Sequence, residues 1–395
     1  MGAPVAFLNS EQDCTVFAEH RAAASICRIP LSRAAALMRN LSCDRVWIDA
    51  LFDGFGLPPG RRRKDWVGYV RSFDGAEHID NVLHGGAKIE TAKVESLVSC
   101  LLTSAADLGC RLVSVPQVPL SGRRQRSLNR TLAKAAGTCL EGDGARCALV
   151  LPVLLTNLDQ YQYKRNSDRV LAETERNLSA SNAEYLWIVD TSADDQNITS
   201  NSRERFKHLL RFHERLHDNL GDACRVIAGP YWAFNLVLWA RGWISHPAIS
   251  MGVGYRYYLS GGFARRRLAR VALPPLRRLA KANSKLRGWI EQALAMLSPA
   301  DEAHEELAQL HANLKVYIDD QEAARKQVAS FYAGWLGKFQ DMSELTRSLS
   351  LYEDLSSAYV IGKSLSQRGK GKLPSAKGYA KHPYAVAETL MLLCL

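Results

Sequence analysis

The feature that most constrains this chain is an alternation. From Pro4 to Val253, short apolar runs alternate with helix-length segments. Such a chain can bury its strands by laying them parallel and covering them with the intervening helices. The strand candidates are Pro4 to Leu8, Arg45 to Leu51, Arg111 to Pro116, Ala148 to Leu155, Glu184 to Val189, Val226 to Ala228 and Ala248 to Val253. Between them, Lys93 to Leu108 repeats Val94, Leu97, Val98, Leu101 and Leu102 at helical spacing, and Gly109 can end it. Arg33 to Asn40, Arg126 to Ala136, Val170 to Leu178, Ser202 to Leu220 and Phe234 to Trp243 read as further helices. About seven or eight strands without a GxGxxG fingerprint favour an α/β fold of the (β/α) TIM-like barrel type, complete or incomplete. The barrel is expected over residues 1–262.

After Gly262 the texture changes. Strand patterns give way to helical ones at Leu286 to Leu297, Asp301 to Leu314, Glu322 to Phe339 and Glu344 to Leu365. The apolar end, Ala385 to Leu395, should dock as a helix. Residues 263–395 therefore read as a basic, mainly helical C-terminal domain.

The net charge is +11, and it is local. Between Tyr255 and Ile290 there are ten Lys or Arg and no acid. Arg265, Arg266, Arg267, Arg270, Arg277, Arg278 and Lys281 belong to this tract. Such tracts bind phosphates and release counterions. DNA or RNA is the expected partner, with other proteins of a nucleoprotein assembly as further partners. A solvated helix face beside acidic neighbours is the plainer alternative. Nine scattered cysteines without a CxxC pair read as reduced thiols. The first residues lack a signal-peptide pattern, and no uncharged run reaches the ~18 residues of a membrane span. These features lead us to expect a cytoplasmic protein with no membrane partner. No cofactor motif stands out.

Barrel sites gather where strands end. Asp49, Asp53 and Asp190 lie at or just past strand ends, where a carboxylate can act as base or nucleophile. Helix capping is their alternative role. Tyr231, Trp232, Tyr255 and Arg256 follow two late strands and could hold a flat ligand bearing a phosphate. Gly252 and Gly254 could bring backbone N–H groups to that phosphate. His213-Glu214-Arg215-Leu216-His217 fits HExxH, the zinc-hydrolase pattern. Yet Arg215 and Asp218 bring charges to the helix, and a core-facing stripe through Phe206, Leu209 and Leu210 includes both histidines. No metal site is expected there.

Asp49 with Asp53-Gly54-Phe55-Gly56, and later Met251-Gly252-Val253-Gly254, is similar to the order of short motifs in tRNA-guanine transglycosylase barrels. The resemblance implies a barrel that handles a nucleobase or nucleotide. The chain has no CxCxxC, and no aspartate follows Met251 to Gly254 where that family has its nucleophile. The zinc site and the nucleophile are therefore not carried over. The expected function is a barrel enzyme, or enzyme-derived module, acting on or with nucleic acid. A non-catalytic binding or scaffold subunit is the alternative, and a zinc hydrolase the third reading.

Overall fold

The computed structural model describes residues 4–20, 24–41, 43, 45–58, 62, 64–142, 147–195, 200–250, 269–368, 372–374 and 378–395. Eight parallel strands close a barrel in chain order. They are β1 Val5–Phe7, β2 Ile26–Pro30, β3 Arg45–Asp49, β4 Leu112–Ser114, β5 Ala148–Leu155, β6 Tyr185–Asp190, β7 Arg225–Ala228 and β8 His246–Ser250. Val5 pairs with Ile26 on one side and with Ala248 on the other, which closes the ring. The helices run back outside it: α1 Glu11–Glu19, α2 Ala34–Met38, α3 Lys64–Val70, α4 Ala76–His84, α5 Thr91–Ala106, α6 Arg123–Gly142, α7 Asp159–Gln162, α8 Lys164–Ser181, α9 Ser200–Leu220 and α10 Phe234–Ala240.

The TIM-like barrel read from the alternation is thus present, with a strand that the apolar pattern did not reveal. β2, Ile-Cys-Arg-Ile-Pro, carries an arginine and a proline. It reads poorly as an apolar run because Arg28 points into the barrel and is 1% exposed. Inside, Phe7, Trp47 and Trp187 meet with ring centroids 5.3 to 5.5 Å apart. The Phe7–Trp47 and Trp47–Trp187 pairs are edge-to-face, an arrangement that adds about 0.5–1.5 kcal/mol beyond burial. Each indole N–H is satisfied: Trp47 Nε1 donates to Ser114 Oγ at 2.9 Å and Trp187 Nε1 to the Gly229 carbonyl at 2.7 Å. Three large rings leave no pore.

The C-terminal region is mainly helical, as expected: α11 Ser284–Leu294, α12 Glu302–Asp319, α13 Gln321–Gly337, α14 Glu344–Arg368 and α15 Ala385–Cys394. It also holds an antiparallel hairpin, β9 Arg270–Leu273 and β10 Arg278–Lys281, where the apolar pattern shows no strands. Its basic ends hide it. Val271 and Leu273 face a small core with Leu286, Ile290, Leu307 and Leu314. Other C-terminal side chains, including Tyr332, Trp335, Leu355 and Leu390, join the main core of the barrel. Among the described residues no helix is long and apolar enough to cross a membrane.

Candidate functional site at the barrel mouth

The C-terminal ends of β1, β2 and β3 bring three polar side chains together above the aromatic layer. Arg28 extends from β2 with its guanidinium 5.0 Å from the Phe7 ring and 5.9 Å from the Trp187 ring. Its Nε donates to Asp49 Oδ2 at 3.0 Å, and one terminal nitrogen makes a shorter contact with the same oxygen. The other terminal nitrogen donates to Asn9 Oδ1 at 2.9 Å. The second Asp49 oxygen accepts the Leu51 N–H at 3.0 Å. Leu51 sits at φ 55, a left-handed conformation that turns the chain sharply into the 3-10 turn Phe52–Gly56. That turn sets Asp53 beside Asp49. Asp49, Asp53, Ser114, Gln117 and Trp187 line a cleft of about 10 Å³, room for roughly one water.

Phe55, two residues beyond Asp53, faces a larger space. A cavity of about 650 Å³ lies behind the turn, against α3 and α4. Phe55, Val67, Val70 and Phe73 give it an apolar side; Arg62 and Asp80 give it a polar one. Arg62 Nη1 donates to Asp80 at 2.6 Å, and its Nε donates to the Leu57 carbonyl at 2.8 Å. The long connection from β3 to α5 builds this cavity. The sequence signal in that stretch is short: α3 spans seven residues and α4 nine, although Ala76, Ile79, Val82 and Leu83 recur at helical spacing on α4.

A second feature marks the same end of the barrel. A helix that follows a barrel strand begins at the strand's C-terminal end. The start of α6 carries Arg123, Arg124 and Arg126, and the start of α8 carries Lys164, Arg165 and Arg169. Among the described residues none of the six is in an ion pair, and all but the half-buried Arg126 are exposed. Cations are disfavoured at the positive pole of a helix. On α6 and α8, this end of the barrel therefore carries a rim segment of positive charge with no ion pair among the described residues.

The other expected site residues sit elsewhere. Asp190 is fully buried and held from outside the barrel: Tyr161 Oη donates to it at 2.5 Å, and Arg205 donates at 2.6 and 2.9 Å. It also accepts the Ser192 N–H at 2.8 Å, a local turn role close to the capping alternative. Tyr231 Oη accepts the Asp190 N–H at 2.7 Å, and burial pushes that phenol well above its ordinary pKa. Trp232 is buried against Phe331, Tyr332 and Trp335, and its Nε1 donates to the Arg277 carbonyl. Asp190 and Tyr231 are hydrogen-bonded to each other, then, and all three side chains are buried. Gly252, Gly254, Tyr255, Arg256, Arg265, Arg266 and Arg267 lie outside the described residues.

In the basic tract, Arg277 donates to Asp354 at 2.7 and 2.8 Å. Arg278 is buried and donates to the carbonyls of His382 and Ala380. Burial pulls Arg278 down to about 10, so it stays charged at neutral pH. These two cations hold the C-terminal region together. Arg270 is half-buried, and Lys281 is exposed. The mainly basic "helical" tract is in this part a hairpin, and its charge count conceals two internal partners.

The HExxH residues diverge. His213 is buried between the Phe212 and Phe234 rings, while Glu214 is exposed. Both His213 nitrogens lack a partner, and burial lowers its pKa to about 3. Among the described residues no three His, Cys, Asp or Glu side chains converge to hold a metal.

One buried carboxylate carries no sequence signal. Asp195 accepts the N–H groups of Trp232, Ala233 and Phe234 at 2.8 to 3.0 Å, which fixes the entry to α10. Burial raises its pKa to about 6 against those three bonds. Nothing local marks it, since its partners lie 37 to 39 residues away. No protein-family model matches the chain, and no curated protein matches its sequence. What stands of the transglycosylase-like expectation is the barrel itself.

Proposed function

We propose that the barrel is an enzyme-type module that takes a phosphate-bearing nucleotide or nucleic acid at its C-terminal face. The observation that carries this reading is a coincidence at one end of the barrel. The buried Arg28–Asp49 pair and the carboxylate of Asp53 share the C-terminal end of the barrel with six cations, at the starts of α6 and α8, that are in no ion pair among the described residues. The rim would draw a polyanion by counterion release. The carboxylates would stand where barrel enzymes keep their chemistry. Asp53, on the turn between mouth and cavity, is the group best placed to take a proton. Arg28 holds Asp49 in position. The cavity behind Phe55 is within the usual range of about 300–1,000 Å³ for a small-molecule site, which the mouth is not.

The test is binding of a labelled single-stranded oligonucleotide to the full chain, followed by anisotropy across a salt series. Saturable binding that weakens steeply with salt is expected. Absence of binding at low salt would remove the nucleic-acid part of the reading.

A second reading is favoured by one specific observation. The cleft beside Asp49 and Asp53 has room for only about one water. With so small a cleft beside these carboxylates, the barrel can serve as a binding or scaffold subunit, with affinity supplied by the cations on α6 and α8. The two readings separate on Asp53→Asn. Loss of turnover with intact binding supports the enzyme; a protein that binds but turns over no nucleotide or nucleic acid supports the scaffold.

A further inference from the structure

Cys110 and Cys147 stand with their sulfurs 3.5 Å apart. Cys110, just before β4, is buried; Cys147, just before β5, is half-buried. The two strands are hydrogen-bonded neighbours, with Leu112 paired to Ala148. The Cys147 thiol donates to the Cys110 carbonyl at 2.9 Å, and the Ala148 N–H donates to the Arg111 carbonyl at 2.9 Å. All of this lies at the N-terminal end of the barrel, opposite Arg28 and Asp49. A disulfide bond requires sulfurs about 2.05 Å apart on backbones about 4.4–6.8 Å apart. The two residues directly precede paired strands, and their sulfurs, already 3.5 Å apart, must close by about 1.5 Å to bond.

We propose that Cys110 and Cys147 form a reversible thiol–disulfide site whose co-substrate is a low-molecular-weight disulfide of the glutathione type. Cys147, the more accessible of the two, gives its proton to solvent and attacks one sulfur of that disulfide. The disulfide's own S–S bond breaks, and one thiolate leaves and takes up a proton. Cys110 then gives up its proton and attacks the Cys147 sulfur, which expels the second thiol. Two protein thiols are oxidised by two electrons, and one small disulfide is reduced to two thiols. Burial, and then the neighbouring Cys147, push the Cys110 thiol up. Cys110 is therefore the thiol that attacks second and closes the bond.

The bond would tie the starts of β4 and β5 and close a loop that contains α6. It would constrain the unfolded chain and raise thermal stability. A second sulfur contact exists at the same end, between Cys27 on β2 and Cys43. Cys27 is fully buried and Cys43 half-buried, so peptide mapping scores that pair separately. This site is independent of any ligand at the barrel mouth.

The experiment is peptide mapping of the full chain, without reduction, after incubation at graded ratios of oxidised to reduced glutathione. A linked Cys110–Cys147 peptide pair should grow with the ratio, preceded by glutathione on Cys147, and dithiothreitol should reverse it. Cys110→Ser should trap glutathione on Cys147, and Cys147→Ser should show neither the link nor an adduct on Cys110. The wild-type map stands by itself if a variant fails to fold. The inference is overturned if no Cys110–Cys147 link forms at ratios that oxidise other thiols. It is equally overturned if Cys147 keeps its adduct without closing, or if only Cys27 and Cys43 become linked.

Discussion

Arg28 Nε and Asp49 Oδ2 lie 3.0 Å apart inside the barrel, the arginine 1% and the aspartate 4% exposed. The pair caps the Phe7–Trp47–Trp187 layer. Two charges buried this deeply are costly unless each keeps the other. Arg28→Met or Asp49→Leu alone should therefore destabilise the fold by about 3–5 kcal/mol. The double variant should be less damaged than either single one. Urea unfolding of the three variants measures this. Additive losses would show that the pair is not coupled.

Substitutions at Asp49 are for that reason poor tests of catalysis. Asp53 is the cleaner position, and the activity comparison belongs there.

His213 gives a pH prediction. Its ring is buried without a hydrogen-bond partner, and its pKa falls to about 3 from the ordinary 6.5. The unfolded chain then binds a proton that the folded chain refuses. Stability should be full above about pH 6.5 and should fall as pH drops towards about 3. His213→Leu removes both orphan nitrogens and the titration. It should be more stable than the parent by about 1–3 kcal/mol at neutral pH, by relief of unsatisfied polar burial. The gap should widen at pH 5. Chemical denaturation at the two pH values checks both parts, and an unchanged gap would contradict the second.

Asp195 has the opposite sign. Its pKa is raised to about 6 in the fold from 3.8. The contribution from its protonation is present below about pH 3.8 and lost as pH rises through about 6. The three N–H groups it accepts remain the stronger structural matter. Asp195→Ala should cost about 0.5–2 kcal/mol or more, as the loss of a helix-entry cap does. Exchange of the Trp232, Ala233 and Phe234 amides should quicken in that variant while β1 to β5 stay protected.

Arg277 tests the difference between a phosphate contact and an internal pair. It bonds Asp354, and Trp335 Nε1 donates to the same carboxylate at 2.9 Å. Arg277→Ala should destabilise by about 3 kcal/mol, since a largely buried carboxylate loses its partner. Thermal unfolding reads this directly. An unaffected midpoint, together with weaker nucleic-acid binding, would restore Arg277 to the phosphate-binding set.

The fold is legible in the sequence because the alternation of strand and helix is a local signal repeated along the chain. Seven of its strands show as apolar runs. β2 does not, because its inward position is taken by Arg28, which a barrel tolerates only with Asp49 opposite. Asp49 is legible for the same reason: it ends an apolar run. Asp190 looks identical in sequence, yet Arg205 and Tyr161 draw it away from the mouth. Which side a terminal carboxylate takes is decided by side chains 15 and 29 residues away. Counting cations fails similarly at Arg277 and Arg278. Their partners, Asp354 and the carbonyls after Tyr379, stand far along the chain. The rim on α6 and α8 is readable in principle as cations where a helix prefers acids, but it is less dense than the tract after Tyr255.

The rim and the hairpin make rival predictions for nucleic-acid binding. Arg123, Arg124 and Arg126 stand at the start of α6, on the face that carries Asp53. Lys281 and Lys285 stand at the hairpin end and on α11, exposed and away from the internal pairs. Reversing the three arginines to Glu touches no ion pair of the described residues and should not lower the thermal midpoint. It should also relieve repulsion with the α6 positive pole, by about 0.3–1 kcal/mol per favourable charge. If phosphates lie on the rim, the log–log salt slope should shrink by about 0.7–0.9 for each phosphate left without its arginine. Three such phosphates would remove roughly two to three units of slope. Reversal of Lys281 and Lys285 should then change the slope little. A large change from the lysines with none from the arginines would move the binding face to the C-terminal region, and with it the case for chemistry at Asp53 would weaken. Equal changes would mean a polyanion long enough to span both.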